Sequence, residues 1–169
     1  MGTPVETLAD LIPDNPRIVC VGINPAPISV AAGHYYQGQL GQRFFSRLRQ
    51  AGILPHEQIG WDDDQAYRLG IGFTDVVKRP TASSAEVGSL ELNQGATFLA
   101  QKLEAWGAPL VVFAFKKAAL GVLGPFDGYG FIPGVRLGPS DVFVMPGPYE
   151  RKERVSETLD ALRRRTEQR

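Results

Sequence analysis

Residues 17–25 read RIVCVGINP: after Arg17 the chain is uncharged and mostly apolar as far as Ile23, and the run is closed by Asn24-Pro25. A short run of this kind, apolar without alternation, reads as a strand covered on both faces, as in a parallel sheet flanked by helices. Outward along the chain the same signal returns at Leu110–Phe115 (LVVFAF) and Asp141–Met145 (DVFVM), with a further short strand expected over Ile71–Val77. Helical spacing fills the intervals. Leu40–Ala51 sets Phe44, Phe45 and Leu48 on one face, and a long helix is expected from a cap at Ser84 toward Trp106, ended by Gly107 and Pro109. Lys116–Leu123 is stopped by Gly124-Pro125, and Glu153–Arg165 closes the chain with Val155, Leu159 and Leu162 on one side. Strands alternating with helices predict an α/β fold: a three-layer α/β/α sandwich around a central, mainly parallel, four-stranded sheet, built as one domain over residues 1–169.

Hydrophobic residues make up 43% of the chain and charged residues 21%, enough for a core and too little charge for a disordered chain. No stretch is long and apolar enough to cross a membrane, and the acidic start, Met1 to Asp10, does not read as a secretory signal. The single cysteine, Cys20, cannot form an internal disulfide, which points to an intracellular protein. One cysteine and two histidines exclude a four-cysteine zinc or iron–sulfur site, and neither metal nor cofactor is expected. The formal charge is zero, but basic residues cluster at Arg43, Arg47, Arg49 and at Arg151, Lys152, Arg154, while acid gathers at Asp62–Asp64. A neutral total is therefore compatible with a basic face, although each cluster on its own also reads as a solvated surface.

Ligands of such sheets bind beyond the carboxyl ends of the strands. Two of those ends carry unusual loops: Gly22-Ile23-Asn24-Pro25, leading through small residues to His34-Tyr35-Tyr36, and Met145-Pro146-Gly147-Pro148-Tyr149-Glu150-Arg151. Neither is a glycine-rich phosphate loop. Asn24 before proline is most simply a turn residue, yet the proline holds it extended and fixes its direction. An amide there orients a water molecule by hydrogen bonding, which suits a reaction with a cationic, sugar-like transition state. Asp75, at the expected end of a short strand, reads either as a surface acid pairing with Lys78 or Arg79 or as a carboxylate facing the same cleft. Tyr36 reads equally as a core aromatic, and Arg151 as a helix-start charge.

The segment GINPAPISVAAGHYYQGQLGQRFFSRLRQAGI, then Asp62-Asp63, GIGFTDVVKRPT (Gly70–Thr81) and VMP (Val144–Pro146) with Arg151 beyond it, resembles the thymine-DNA glycosylase and mismatch-specific uracil-DNA glycosylase family. The resemblance runs from about Arg17 to Val155. It implies a uracil-DNA-glycosylase-like fold and a monomeric, monofunctional enzyme without a cofactor. Its partner would be double-stranded DNA holding a damaged or mismatched base, with no membrane involved. Such an enzyme flips out uracil, thymine or a related deaminated or mispaired base and hydrolyses its glycosidic bond, leaving an abasic site for base excision repair. On that resemblance Asn24 positions the attacking water, Tyr36 stacks on the flipped base, and Ser29 and Ile23 line the base pocket. Asp75 joins Asn24 as a catalytic candidate. Gly147, Pro148, Tyr149, Arg151 and Lys152 form the loop that meets the duplex, with Arg151 filling the hole left by the base. No lysine is placed for Schiff-base chemistry. The chain departs from the family pattern at Ala26, where glycine is usual, at Asp75, where an amide or basic residue is usual, and at Tyr149-Glu150, where small polar residues are usual. A lesion-binding protein of the same fold without chemistry, and a nucleotide- or flavin-binding module on a similar sheet, are the rival readings. The enzyme would be nucleoid-associated in a bacterial cytoplasm or nuclear in a eukaryote.

Overall fold

A computed structural model describes residues 2–168. Strands β1 (Ile18–Gly22), β2 (Ile71–Asp75), β3 (Leu110–Phe113), β4 (Gly130–Leu137) and β5 (Ser140–Val144) form one sheet in the order β2-β1-β3-β5-β4. All neighbours are parallel except the β4–β5 pair. Helices α1 (Pro27–Ala32), α2 (Gln39–Gln50), α3 (Asp62–Arg68), α4 (Ser89–Trp106), α5 (Lys116–Leu123) and α6 (Lys152–Glu167) complete the layers.

The unbroken apolar strands are explained by burial on both faces. Along β1, Ile18 and Cys20 join a core with Phe44, Phe45 and Leu48 of α2 and Val155, Leu159 and Leu162 of α6. The intervening Val19 and Val21 join a second core with Leu99 and Leu103 of α4 and Ala118 and Ala119 of α5. Successive side chains leave a strand on opposite faces, so one five-residue run feeds both layers. The N-terminal segment runs antiparallel along the free edge of β2 through the Leu11–Phe73 bridge and covers that edge.

Two expectations are corrected. The sheet has five strands, not four. The additional strand, β4, contains Pro133 and Gly134 and reads locally as loop. It survives as an edge strand because its ladder with β5 is interrupted between Phe131 and Arg136, where the proline needs no donor. The long helix also does not start from a cap at Ser84. Ser83 caps a single 3-10 turn, Ser84–Glu86, in a capping box with Glu86. Val87 then turns extended and buries its side chain, and α4 begins after Gly88. Among the described residues no helix is long and apolar enough to cross a membrane.

Candidate active site

The parallel strands end on one side of the sheet, and there Gly22, Asp75 and the segments following β1 and β3 enclose a cavity of about 440 Å³. Ile23, Asn24, Ser29, Tyr36 and Phe115 also line it. Chain order reverses about β1, since β2 lies on one side of it and β3 on the other. The cavity thus occupies the switch point where such sheets bind ligands.

Asn24 is held in one orientation. Its amide nitrogen donates to the Arg79 carbonyl and to Thr81 Oγ1, both at 2.8 Å. The carbonyl can only accept. The Thr81 hydroxyl gives its own proton to the Ser83 carbonyl at 2.7 Å, so toward Asn24 it too accepts. With both amide N–H bonds engaged, Asn24 offers a ligand its carbonyl oxygen, a pure acceptor. These partners come from the GIGFTDVVKRPT segment, 55 and 57 residues away in the chain.

Asp75 is buried at 4% exposure, so the surface reading of this acid is wrong. Burial pushes its carboxyl up to about 7. The cations of Lys78 and Lys102 oppose that rise and Asp10 adds to it. Its Oδ2 has no hydrogen-bond partner, and neither has the buried hydroxyl of Tyr36. Gly22, Asp75's partner in the β1–β2 register, lies between these two groups. A Cβ at Gly22 would stand 2.4 Å from Asp75 Oδ1, 3.0 Å from Tyr36 Cε1 and 3.3 Å from the Tyr36 hydroxyl. The glycine therefore provides the room in which a carboxyl and a phenol share the cavity wall.

Tyr36 adopts the left-handed conformation at φ 57°, unusual for a bulky residue. Two contacts fix it. Gln42 Nε2 donates to its carbonyl at 3.0 Å, and Gly41 packs so tightly that a Cβ there would meet Tyr36 atoms at 2.5 Å. Its ring meets Phe44, Phe73 and Phe115 edge-on. Asp63, buried, accepts from Tyr35 N–H and bonds His34 Nδ1, both at 2.8 Å, while His34 stacks on Trp61. The paired acids Asp62 and Asp63 carry structure: Asp62 holds Arg49, and Asp63 pins the segment that presents Tyr36. Local sequence did not reveal either role, or that of Thr81, because each partner is remote. His34, Asp63 and Asp64 bring potential metal-ligating atoms within 4.8 Å of one another, but His34 Nδ1 and both oxygens of Asp63 are occupied by the bonds just described.

Ser29 lines the cavity from α1, and its hydroxyl accepts from Gln37 N–H at 3.0 Å. The post-β5 loop lies beside a smaller cavity of about 190 Å³ that shares Leu40 and Phe115 with the first; Gly147 and Pro148 line it, but Tyr149, Arg151 and Lys152 do not. Tyr149 stands 93% exposed, and Arg151 and Lys152 project into solvent at the start of α6. Arg47 donates to the carbonyls of Pro146 and Gly147, and Arg43 to that of Pro148. The first basic cluster is thus committed: Arg43 and Arg47 brace this loop, and Arg49 pairs with Asp62.

Residues 9–163 match the family described as the uracil DNA glycosylase superfamily. A relative from Schizosaccharomyces pombe, named G/U mismatch-specific uracil DNA glycosylase, is 27% identical over 111 residues, 64% of this chain. The matched stretch spans 34% of that relative, about a third of its length.

Proposed function

This chain belongs to the uracil DNA glycosylase superfamily, and on that premise we propose that it is a monofunctional DNA glycosylase that excises uracil, thymine or related deaminated or mispaired bases from double-stranded DNA. The observation that carries the reading is the fixed Asn24 amide, which presents its carbonyl oxygen in the cavity that also holds the Asp75 carboxyl and the Tyr36 ring.

The target bond lies inside a duplex, so the nucleotide must turn out into the cavity. Tyr36 stacks on the extruded base, with Ile23, Ser29 and Phe115 closing the walls around it. Asn24 Oδ1 accepts one hydrogen of a water and aims its oxygen at C1′ of the sugar. The C1′–N bond breaks with its electron pair going to the base, which leaves as an anion, and the water oxygen bonds to C1′. Ionised Asp75 stabilises the positive sugar and receives the water's second proton, ending neutral. A carboxyl titrating near 7 is well matched to that duty at neutral pH. The braced loop from Gly147 to Lys152 meets the duplex, with Arg151 and the exposed Tyr149 nearest to the vacated stack. Released base leaves an abasic site with the strand intact.

The test is single-turnover base release from duplexes carrying uracil, thymine, hypoxanthine or xanthine, with Asn24→Ala beside the parent. The variant is expected to lose at least about a hundredfold in rate while binding the duplex normally. Equal rates in the two proteins would remove Asn24 from the mechanism. Binding without release by the parent on every substrate would make the protein a lesion binder.

A further inference from the structure

Asp75 belongs to the walls of two clefts. The second, of about 390 Å³, is lined by Asp75, Lys78 and Lys102 together with Arg79 and Glu91 at its rim. Three charges converge beside it. Asp10, on the N-terminal segment along β2, has one oxygen 2.5 Å from Lys78 Nζ and the other 2.7 Å from Lys102 Nζ of α4. The Thr74 hydroxyl, one residue before Asp75, donates to Asp10 at 2.6 Å. Lys78 is fixed further by the Leu8 carbonyl and the Tyr35 hydroxyl, each at 3.2 Å.

We propose that Asp10, Lys78 and Lys102 are positioning residues for Asp75: two ammonium groups and one carboxylate, tied together by hydrogen bonds, set a net single positive charge beside the Asp75 carboxyl and thereby govern its ionisation. The inference rests on the part given to Asp75 in the reaction above. Burial on its own disfavours the carboxylate, and a residue kept neutral at working pH could not receive the water's proton. The cluster counters that from outside the substrate cavity, so the base pocket stays uncharged apart from Asp75. Burial would raise the Asp10 carboxyl, but the bonds from Lys102, Lys78 and Thr74 outweigh it and keep Asp10 ionised. The neighbouring titratable groups are held neutral or are paired with an opposite charge. Tyr35 and Tyr36 are phenols pushed upward by burial, with Asp75 pushing the same way, and the buried Cys20 thiol of β1 is likewise held neutral. Arg79 and Glu91 pair with each other at 2.7 Å.

A purely structural ion cluster would respond alike to the loss of any member. A charge-setting cluster responds with opposite signs. Asp75 is followed by carbon-13 NMR titration in the free protein and by the pH profile of single-turnover uracil release. Asp10→Asn leaves two cations, so the Asp75 midpoint and the acid limb of the profile are expected to fall by about one pH unit. Lys102→Met leaves no net charge, and both are expected to rise by a similar amount. Lys78→Met provides a second cation deletion that must move in the same direction as Lys102→Met. Midpoints that stay fixed, or that shift the same way for Asp10→Asn and Lys102→Met, overturn the inference. Opposite shifts in the NMR midpoint with an unmoved rate profile would uphold the coupling and overturn instead the place of Asp75 in the reaction.

Discussion

Replacing Asp75 by Asn should make the folded protein more stable, by an amount that depends on pH. The Asp75 carboxyl is raised from an ordinary 3.8 to about 7. With each pH unit worth about 1.4 kcal/mol, the rise corresponds to about 4 kcal/mol of stability withheld when the group is ionised. The sign follows from proton binding. Between pH 4 and 7 the unfolded chain has released this proton and the native protein still holds it, so raising pH through that window weakens the fold. Above about pH 7 both states have lost the proton and the deficit is complete. Asn carries no charge at any of these pH values and escapes the deficit. Thermal unfolding of the two proteins at pH 4 and pH 8 measures it. The difference between them should widen in favour of Asp75→Asn by about 4 kcal/mol from pH 4 to pH 8, roughly 10 °C in Tm for a chain of this size. Any pH-independent effect of the new amide cancels in that comparison. A gap that stays constant with pH would mean that Asp75 keeps an ordinary carboxyl in the folded protein, and one that moves toward the parent at pH 8 would mean that the fold favours its ionised form; either refutes the reasoning.

Four further outcomes are expected. Gly22→Ala places a methyl 2.4 Å from Asp75 Oδ1 and 3.0 Å from the Tyr36 ring, and should cost about 1–3 kcal/mol in denaturant unfolding together with most of the activity; unchanged base release would show that the cavity wall is not built as described. Thr81→Val removes one of the two acceptors fixing Asn24 and should slow base release about tenfold without changing duplex affinity, as read by single-turnover and equilibrium binding. Arg151→Ala should reduce release from a paired duplex more than from a single strand, where there is no vacated stack to fill; equal losses would make Arg151 a phosphate contact. Activity should survive EDTA, and a loss restored by one added metal would redirect attention to His34, Asp63 and Asp64.

The parts legible in the sequence are those whose signal is local. Strand β1 and helix α5 were readable because an uninterrupted apolar run, and a helix stopped by Gly124-Pro125, carry their causes within themselves. Strand β4 was not, because Pro133 and Gly134 argue for a loop, and only the pairing with β5 overrides them. Asp75 shows the same limit at the site. Its neighbours Lys78 and Arg79 invite a surface pairing. Its burial is decided by the parallel register with Gly22, a residue 53 positions earlier whose missing side chain creates the space. Asn24 stood out by its proline and by the resemblance, yet what fixes its amide, the Arg79 carbonyl and Thr81, lies on the segment after β2.

In the proposed enzyme the arginine braces between α2 and the post-β5 loop would bear on how a substrate is chosen. The helix that begins just after Tyr36 is the same one whose Arg43 and Arg47 grip the carbonyls of Pro146, Gly147 and Pro148. In the proposed enzyme the wall that carries Tyr36 and the loop that would meet the duplex are therefore tied to each other through α2 by these hydrogen bonds. Bracing that resists closure of one against the other would leave the shape change needed for extrusion to the nucleic acid. Selection among sites would then follow the softness of the double helix: a wobble or mismatch that opens readily is admitted, and a firmly stacked pair holding the very same base is passed over.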